Sequence, residues 1–381
     1  MDEMLLRYMP EMLTGEALDE ALRITPEYLN ESIPTGAGEC KGNLHTPLQV
    51  VPIRGKHFDT VTMEELFDTV YDSAPPVIDG LLYNGVSIIA GSGKVGKSFL
   101  MAQIGYHVST GTPLWGMPVR KCKVLYLALE DSFSRLQKRL YQMFGGAPTK
   151  DFVLTTSAGR LGDSFDEQLI NFLEENPDTG LVIIDTLIMI RDTDGDNYSY
   201  SEDYDFIMTL KQFALRRNIC IVLVHHTRKE SSSDPFDMIS GTKGLYAAAD
   251  ASFVLMKDKR ESGEASLYVT GRDQPDAKLS LVRDSEKLTW DLDSVSADAW
   301  TEPKDPVIDA VAKLVAEEKP VWEGTSTELA ELIGTDLKPN ALSMKLNVKA
   351  GTLRREYGIQ YINTRKHEGR RIQLVLMRDD V

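Results

Sequence analysis

From about Phe58 the chain alternates short, mostly apolar runs with longer amphipathic stretches. The runs are Val86–Ala90, Val124–Leu129, Leu181–Ile184, Ile221–Val224, Ser252–Leu255, Leu267–Val269 and Leu279–Val282. A short apolar run without polar alternation is what a strand covered on both faces requires. Between the runs lie segments such as Phe165–Leu173 and Phe206–Leu215, whose apolar residues recur at helical spacing. Strand, helix, strand repetition predicts an α/β domain with a mainly parallel sheet over residues 58–292.

The pattern differs on both sides of this domain. Residues 1–57 carry scattered apolar positions, and Ile33-Pro34-Thr35-Gly36-Ala37-Gly38 reads as a loop, so an arm or linker with one helix is expected. Residues 293–304 are polar and read as a linker. Asp305-Pro306 then has the form of an N-cap followed by proline in the first turn, with Val307, Ile308, Val311, Leu314 and Val315 on one face. Thr325-Ser326-Thr327-Glu328 has the spacing of a capping box, for a second helix ending near Gly334. A third helix is expected from about Asn340 to Tyr357, and strands at Ile359–Arg365 and Arg371–Leu376. Three helices and a hairpin are the winged-helix order, assigned to residues 305–381.

Composition changes the picture in two places. The three cysteines, Cys40, Cys122 and Cys220, are far apart and lack ligand spacing; with no signal-peptide core and no apolar run near the roughly 18 residues a membrane span needs, a cytoplasmic chain with reduced thiols is expected. The net charge of −16 by itself argues against nucleic acid. The average conceals an asymmetry, because Lys338 to Arg378 holds ten Lys/Arg against two Asp/Glu, whereas Met1 to Val50 holds three against nine. An acidic protein with one basic module near the C-terminus is the result.

Candidate chemistry begins at Gly91-Ser92-Gly93-Lys94-Val95-Gly96-Lys97-Ser98, which matches the P-loop pattern at every fixed position and sits between an apolar strand and a helical stretch. Its glycines let backbone N–H groups turn inward around phosphate oxygens. Lys97 brings a point charge to the β- and γ-phosphates of ATP, and Ser98 a hydroxyl to Mg²⁺. Leu181–Ile184 ends in Asp185, the expected second magnesium contact, through water. Val124–Leu129 ends in Glu130, placed to orient and deprotonate the attacking water; Asp131-Ser132 is expected to cap the next helix. Ile221–Val224 ends in His225-His226, and His226 is the candidate sensor of the γ-phosphate.

Taken together, Gly91–Ser98, Leu125–Asp131, Ile183–Leu187 and Val222–Thr227 resemble the RecA-like hexameric ATPases of the RepA helicase type. The resemblance spans roughly Phe58 to Trp290 and implies a homo-hexameric ring with ATP between subunits. It also implies a basic residue donated by the neighbour, for which Arg272 in the Thr270-Gly271-Arg272-Asp273 turn is the candidate. The plasmid RepA type places its arginine earlier, near Ala251–Val254, where this chain has none. The polar stretch Thr227–Thr242 corresponds to the channel loop of RecA-like motors, so Arg228, Lys229 and Lys243 become candidate contacts to single-stranded DNA, with Arg191 a second candidate. A C-terminal module is a departure from the minimal RepA helicase. There Lys345, Lys349, Arg354, Arg355, Arg365, Lys366, Arg370 and Arg371 are candidate contacts to duplex or origin DNA. The leading expectation is a DNA-dependent ATPase acting as a replicative helicase of a phage, plasmid or integrated element. An origin-binding initiator or helicase loader, and a RecA-like recombination or regulatory ATPase, remain open.

Overall fold

The structure is a computed structural model that describes residues 60–71, 75–191, 199–228, 232, 234–239, 243–257, 262–297, 305–366 and 369–377. The arm expected over residues 1–57 lies outside the described residues. Nine strands form one sheet in the order β3-β2-β4-β5-β1-β6-β7-β8-β9. These are β1 (Gly85–Gly91), β2 (Lys123–Ala128), β3 (Phe152–Thr155), β4 (Thr179–Asp185), β5 (Cys220–His226), β6 (Ala251–Met256), β7 (Glu264–Gly271), β8 (Ala277–Arg283) and β9 (Trp290–Ala297). From β3 to β6 all neighbours are parallel; β6 to β9 form an antiparallel meander. A mainly parallel α/β core is therefore present, as the alternation of strands and helices predicts.

The aliphatic runs are explained by layering. In β4, Leu181 and Ile183 face one apolar cluster while Val182 and Ile184 face the other. The same division holds for Val222 and Val224 against Ile221 and Leu223 in β5. The first cluster is closed by α2 (Lys97–Thr110) and α3 (Phe133–Phe144), the second by α4 (Ser164–Glu175), α5 (Tyr200–Arg217) and α6 (Lys243–Ala248). Because both faces are covered, the central positions of these strands are apolar and polar residues are left to their ends. Cover thins out along the meander: β6 is still buried on both faces, whereas β7 alternates buried Ala265, Leu267 and Val269 with more exposed residues.

Two expectations need correction here. The polar stretch from residue 293 is not the start of a linker, because β9 runs to Ala297 in register with β8. It is polar because it is the last strand of the meander, with Asp293, Ser294, Val295 and Ser296 exposed; its order comes from ladder hydrogen bonds rather than burial. The helix expected from about Asn340 to Tyr357 is two helices, α9 (Pro339–Val348) and α10 (Ala350–Tyr357), broken where Lys349 leaves helical geometry at φ −96 and ψ 12.

The C-terminal layer also contains α7 (Pro306–Ala312), β10 (Val321–Thr325), α8 (Ser326–Ile333), β11 (Ile359–Lys366) and β12 (Gly369–Leu376), with sheet order β10-β12-β11. Asp305 caps α7 by accepting from the Val307 amide at 3.0 Å, and the Thr325–Glu328 capping box forms as its spacing requires. Ile308, Leu329, Leu342, Leu346, Leu353, Ile372 and Leu374 fill its core. A short helix far earlier in the chain, α1 (Met63–Asp68), joins this layer: Asn347 Nδ2 donates to the Phe67 carbonyl at 2.8 Å, and Val70 packs against the same core.

Candidate nucleotide site

The P-loop leaves β1 and re-enters helix at Lys97. Gly96 caps α2 with φ 112, and a Cβ there would lie 2.7 Å from the Trp290 ring. Glycine is required on both counts. Trp290 is fully buried and donates its indole N–H to the Gly96 carbonyl at 3.4 Å. Gln103 on α2 grips the Trp290 backbone, donating to its carbonyl at 2.8 Å and accepting from its amide at 2.7 Å. The first residue of β9 thus buttresses the phosphate loop from behind, a contact that no local pattern reveals. Arg283 lies over Phe99 at 4.1 Å and Trp290 at 5.4 Å, and Lys257 over Trp290 at 5.4 Å, adding cations beside the loop.

Lys97 is only 6% exposed. Its ammonium donates to the carbonyls of Gly91 at 2.8 Å and Ser92 at 3.1 Å, which leaves a third N–H for a phosphate oxygen. Burial pulls its pKa down, and the charges of Asp185 and Glu130 pull it back up.

Asp185 closes β4 beside Ala128 of β2 and is buried. Tyr126 donates its hydroxyl to Asp185 Oδ2 at 2.9 Å, and Ser98 hydrogen-bonds the same carboxylate. Burial raises the pKa of Asp185, against the two hydrogen bonds and Lys97, which lower it. Glu130 lies just past β2, exposed, and its Oε1 accepts from the Thr186 hydroxyl at 2.7 Å. One carboxylate is therefore buried against Ser98 and the other stands at the mouth of the site, the separation of roles expected for a metal contact and a base. The expected Asp131-Ser132 cap divides between its two residues. Ser132 caps α3, while Asp131 pairs with Arg135 at 2.8 Å and Arg139 at 2.7 Å.

The β1–β5 ladder sets His226 opposite Gly91, exposed, and His225 opposite Ala90, buried. Lys97, Ser98, Glu130, Asp185 and His226 therefore gather at one end of four adjacent strands. Arg272 does not join them. Gly271 pairs with Ala251, and Ala251 pairs with Ser87, four residues below Gly91. That is roughly 13 Å down the strand, so exposed Arg272 lies toward the opposite end of the strands, away from this chain's own phosphate loop.

The basic candidates divide further. Arg228 is exposed beyond β5, at the nucleotide edge. Lys229 and the side chain of Lys243 lie outside the described residues, as do the side chains of Arg365, Lys366 and Arg370. Arg354 and Arg355 are exposed on α10, and Lys349 is half-buried. Lys345 pairs with Asp305 at 2.7 Å and Arg371 with Glu323 at 3.3 Å. Arg191 is corrected: it is 5% exposed, paired with fully buried Asp203 and stacked over Phe206 at 4.9 Å, so it anchors the chain after Asp185 instead of reaching DNA.

A divalent metal fits this donor set. Ser98, Asp185 and Glu130 offer hard oxygens, and among the described residues no cluster of three or more acidic, histidine or cysteine side chains forms a metal cage. Mg²⁺ is held in such sites by one or two protein oxygens, phosphates and water. No described helix is long and apolar enough to cross a membrane.

A family model described as an AAA domain matches residues 54–232. No curated protein matches the chain. Among solved structures, one ATPase domain is 14% identical, over 55% of this chain and 85% of that one, with a TM-score of 0.46. A DnaB-like replicative helicase, whose structure is described with its interactions with primase, is 14% identical over 60% of this chain and 66% of that one, with a TM-score of 0.47. The RadB recombinase is 18% identical over 54% and 90%, with a TM-score of 0.39. The AAA-domain match takes in the P-loop, Glu130, Asp185 and His226 and ends before Arg272 and the C-terminal layer.

Proposed function

We propose that the protein is a DNA-dependent ATPase that works as a ring-forming replicative helicase of the RepA type, from a phage, plasmid or integrated element. The observation that carries this reading is the convergence of Lys97, Ser98, Glu130, Asp185 and His226 at the ends of β1, β2, β4 and β5. Lys97 and the loop amides hold the β- and γ-phosphates. Ser98, with Asp185 through water, would hold Mg²⁺, which would offset the charge of the phosphates during transfer. Glu130 orients the attacking water and takes its proton. His226, one strand from the P-loop, senses the γ-phosphate and passes its state along β5 toward Arg228 and the segment with Lys229 and Lys243, where single-stranded DNA is held. Arg272, distant from its own chain's site, serves a neighbouring subunit in a homo-hexamer.

The C-terminal layer, read as a winged helix over residues 305–381, recruits the ring to duplex DNA. Its three-stranded sheet, the helices α7 to α10 packed on one core, and its exposed Arg354 and Arg355 support this reading. The same layer favours a second reading, an initiator or loader that binds origin DNA and uses ATP for assembly.

The test is ATP hydrolysis with and without single-stranded DNA, for the wild type and Lys97→Ala. DNA stimulation that vanishes in Lys97→Ala supports the motor. A Lys97-dependent rate indifferent to DNA sinks the translocating helicase and leaves the loader, which binds duplex but does not displace a strand from a tailed one.

A further inference from the structure

The hydroxyl of Tyr126 is the one polar group of β2 aimed into the interior beside the nucleotide site. Tyr126 is fully buried, sits one strand from Asp185, and stacks on Phe152 of β3 with ring centroids 6.0 Å apart. A buried phenol needs one acceptor. Two are in reach, the Asp185 carboxylate at 2.9 Å and the Ser98 carbonyl at 3.5 Å, and the shorter bond goes to the charged one. Asp185 Oδ2 is thereby fixed from inside the sheet, and the Ser98 hydroxyl meets the same carboxylate from α2. Phe152 in turn fills the space beside Gly105, where a Cβ would lie 2.7 Å from its ring, so the phenol is wedged between strand and helix.

We propose that Tyr126 is a positioning residue for magnesium: by holding one oxygen of Asp185 it aims the carboxylate at the position the cation takes beside Ser98. The proposal rests on the nucleotide-hydrolysis reading above. Without the phenol, Asp185 Oδ2 would face only the apolar Phe152 side of the core. The carboxylate would then be free to rotate, held only from the Ser98 side, and would no longer be fixed toward the place where a cation would sit. Partners that orient a metal contact in this way are worth about 10- to 100-fold in metal affinity.

The variant is Tyr126→Phe, which keeps the ring and its stack on Phe152. Binding of a fluorescent ADP is measured first in EDTA and then along a magnesium titration, with melting temperature recorded without nucleotide. The expected result is EDTA affinity within about twofold of wild type. The magnesium concentration for half-maximal tightening of ADP rises about tenfold or more. Phe152→Leu, which loosens the wedge without touching the hydroxyl, is expected to move the same midpoint severalfold in the same direction, and covers the case in which Tyr126→Phe does not fold. An unchanged magnesium midpoint in the folded variants overturns the proposal. Wild-type protein that binds ADP no better than Lys97→Ala would instead remove the nucleotide reading itself, a separate outcome.

Discussion

The buried pair of Arg191 and Asp203 gives the sharpest quantitative expectation. Arg191 follows the 3-10 turn Leu187–Ile190 that leaves Asp185, and Asp203 lies in the first turn of α5, so the pair ties the exit of β4 to the next helix. With side-chain exposures of 5% and 0%, neither charge has water to fall back on. Removing one partner of such a pair costs about 3–5 kcal/mol, most of it the stranded charge. For a domain of this size each kcal/mol moves the melting temperature by about 2–4 °C. Arg191→Met and Asp203→Asn should therefore each melt about 6–20 °C below wild type. The double variant Arg191→Met/Asp203→Leu should recover part of the loss, because neither charge is then left buried without its opposite. Thermal melting without nucleotide or DNA reads all three. A melting temperature within about 2 °C of wild type for Arg191→Met, accompanied by loss of DNA stimulation, would refute the anchor and restore Arg191 as a DNA contact.

Glu130→Gln should keep nucleotide affinity and lower kcat by about 10²- to 10⁴-fold, as loss of a general base does, whereas a matching rise in KM would move Glu130 from catalysis to binding. Burial pushes the thiols of Cys122 and Cys220 up to about 11 and about 12, so at pH 8 their thiolate fractions are small and rise only as pH climbs toward those values. In native protein both should react with a disulfide reagent at least about a hundredfold more slowly than in the unfolded chain; fast labelling of either would contradict its burial. Arg354→Ala/Arg355→Ala should weaken duplex binding and reduce the slope of log affinity against log salt by about two, one per phosphate contact. Unchanged duplex binding in this pair would point to a protein-docking role for the C-terminal layer.

Much of the core was legible in the chain because its signals are local. Four aliphatics ending in Asp185 read as a strand with both faces covered, and both faces are covered. The P-loop is a contiguous pattern, and the Asp305 and Thr325–Glu328 caps are set by spacings of two and three residues. Sequence also placed Glu130 and His226 at strand ends, because the end of an apolar run marks where the sheet meets solvent.

Tertiary structure decided everything that depends on which strands lie side by side. The order β3-β2-β4-β5-β1-β6 brings Asp185 between the strands of Glu130 and His226, and nothing in any single run specifies that order. The antiparallel return of β7 carries Arg272 away from the site, although its turn resembles the others in sequence. Trp290 behind Gly96, Tyr126 on Asp185 and Asp203 on Arg191 are contacts between residues 194, 59 and 12 positions apart in the chain. Their side chains look ordinary in sequence: a tryptophan, a tyrosine in a strand, an acid in a helix. Polarity misled where it stood for exposure without disorder, as in β9, whose backbone is held by its neighbour while its side chains face water. Local physics fixes which segments are strands, helices and loops; the choice of neighbours, made by burying two apolar layers at once, fixes which of their residues meet.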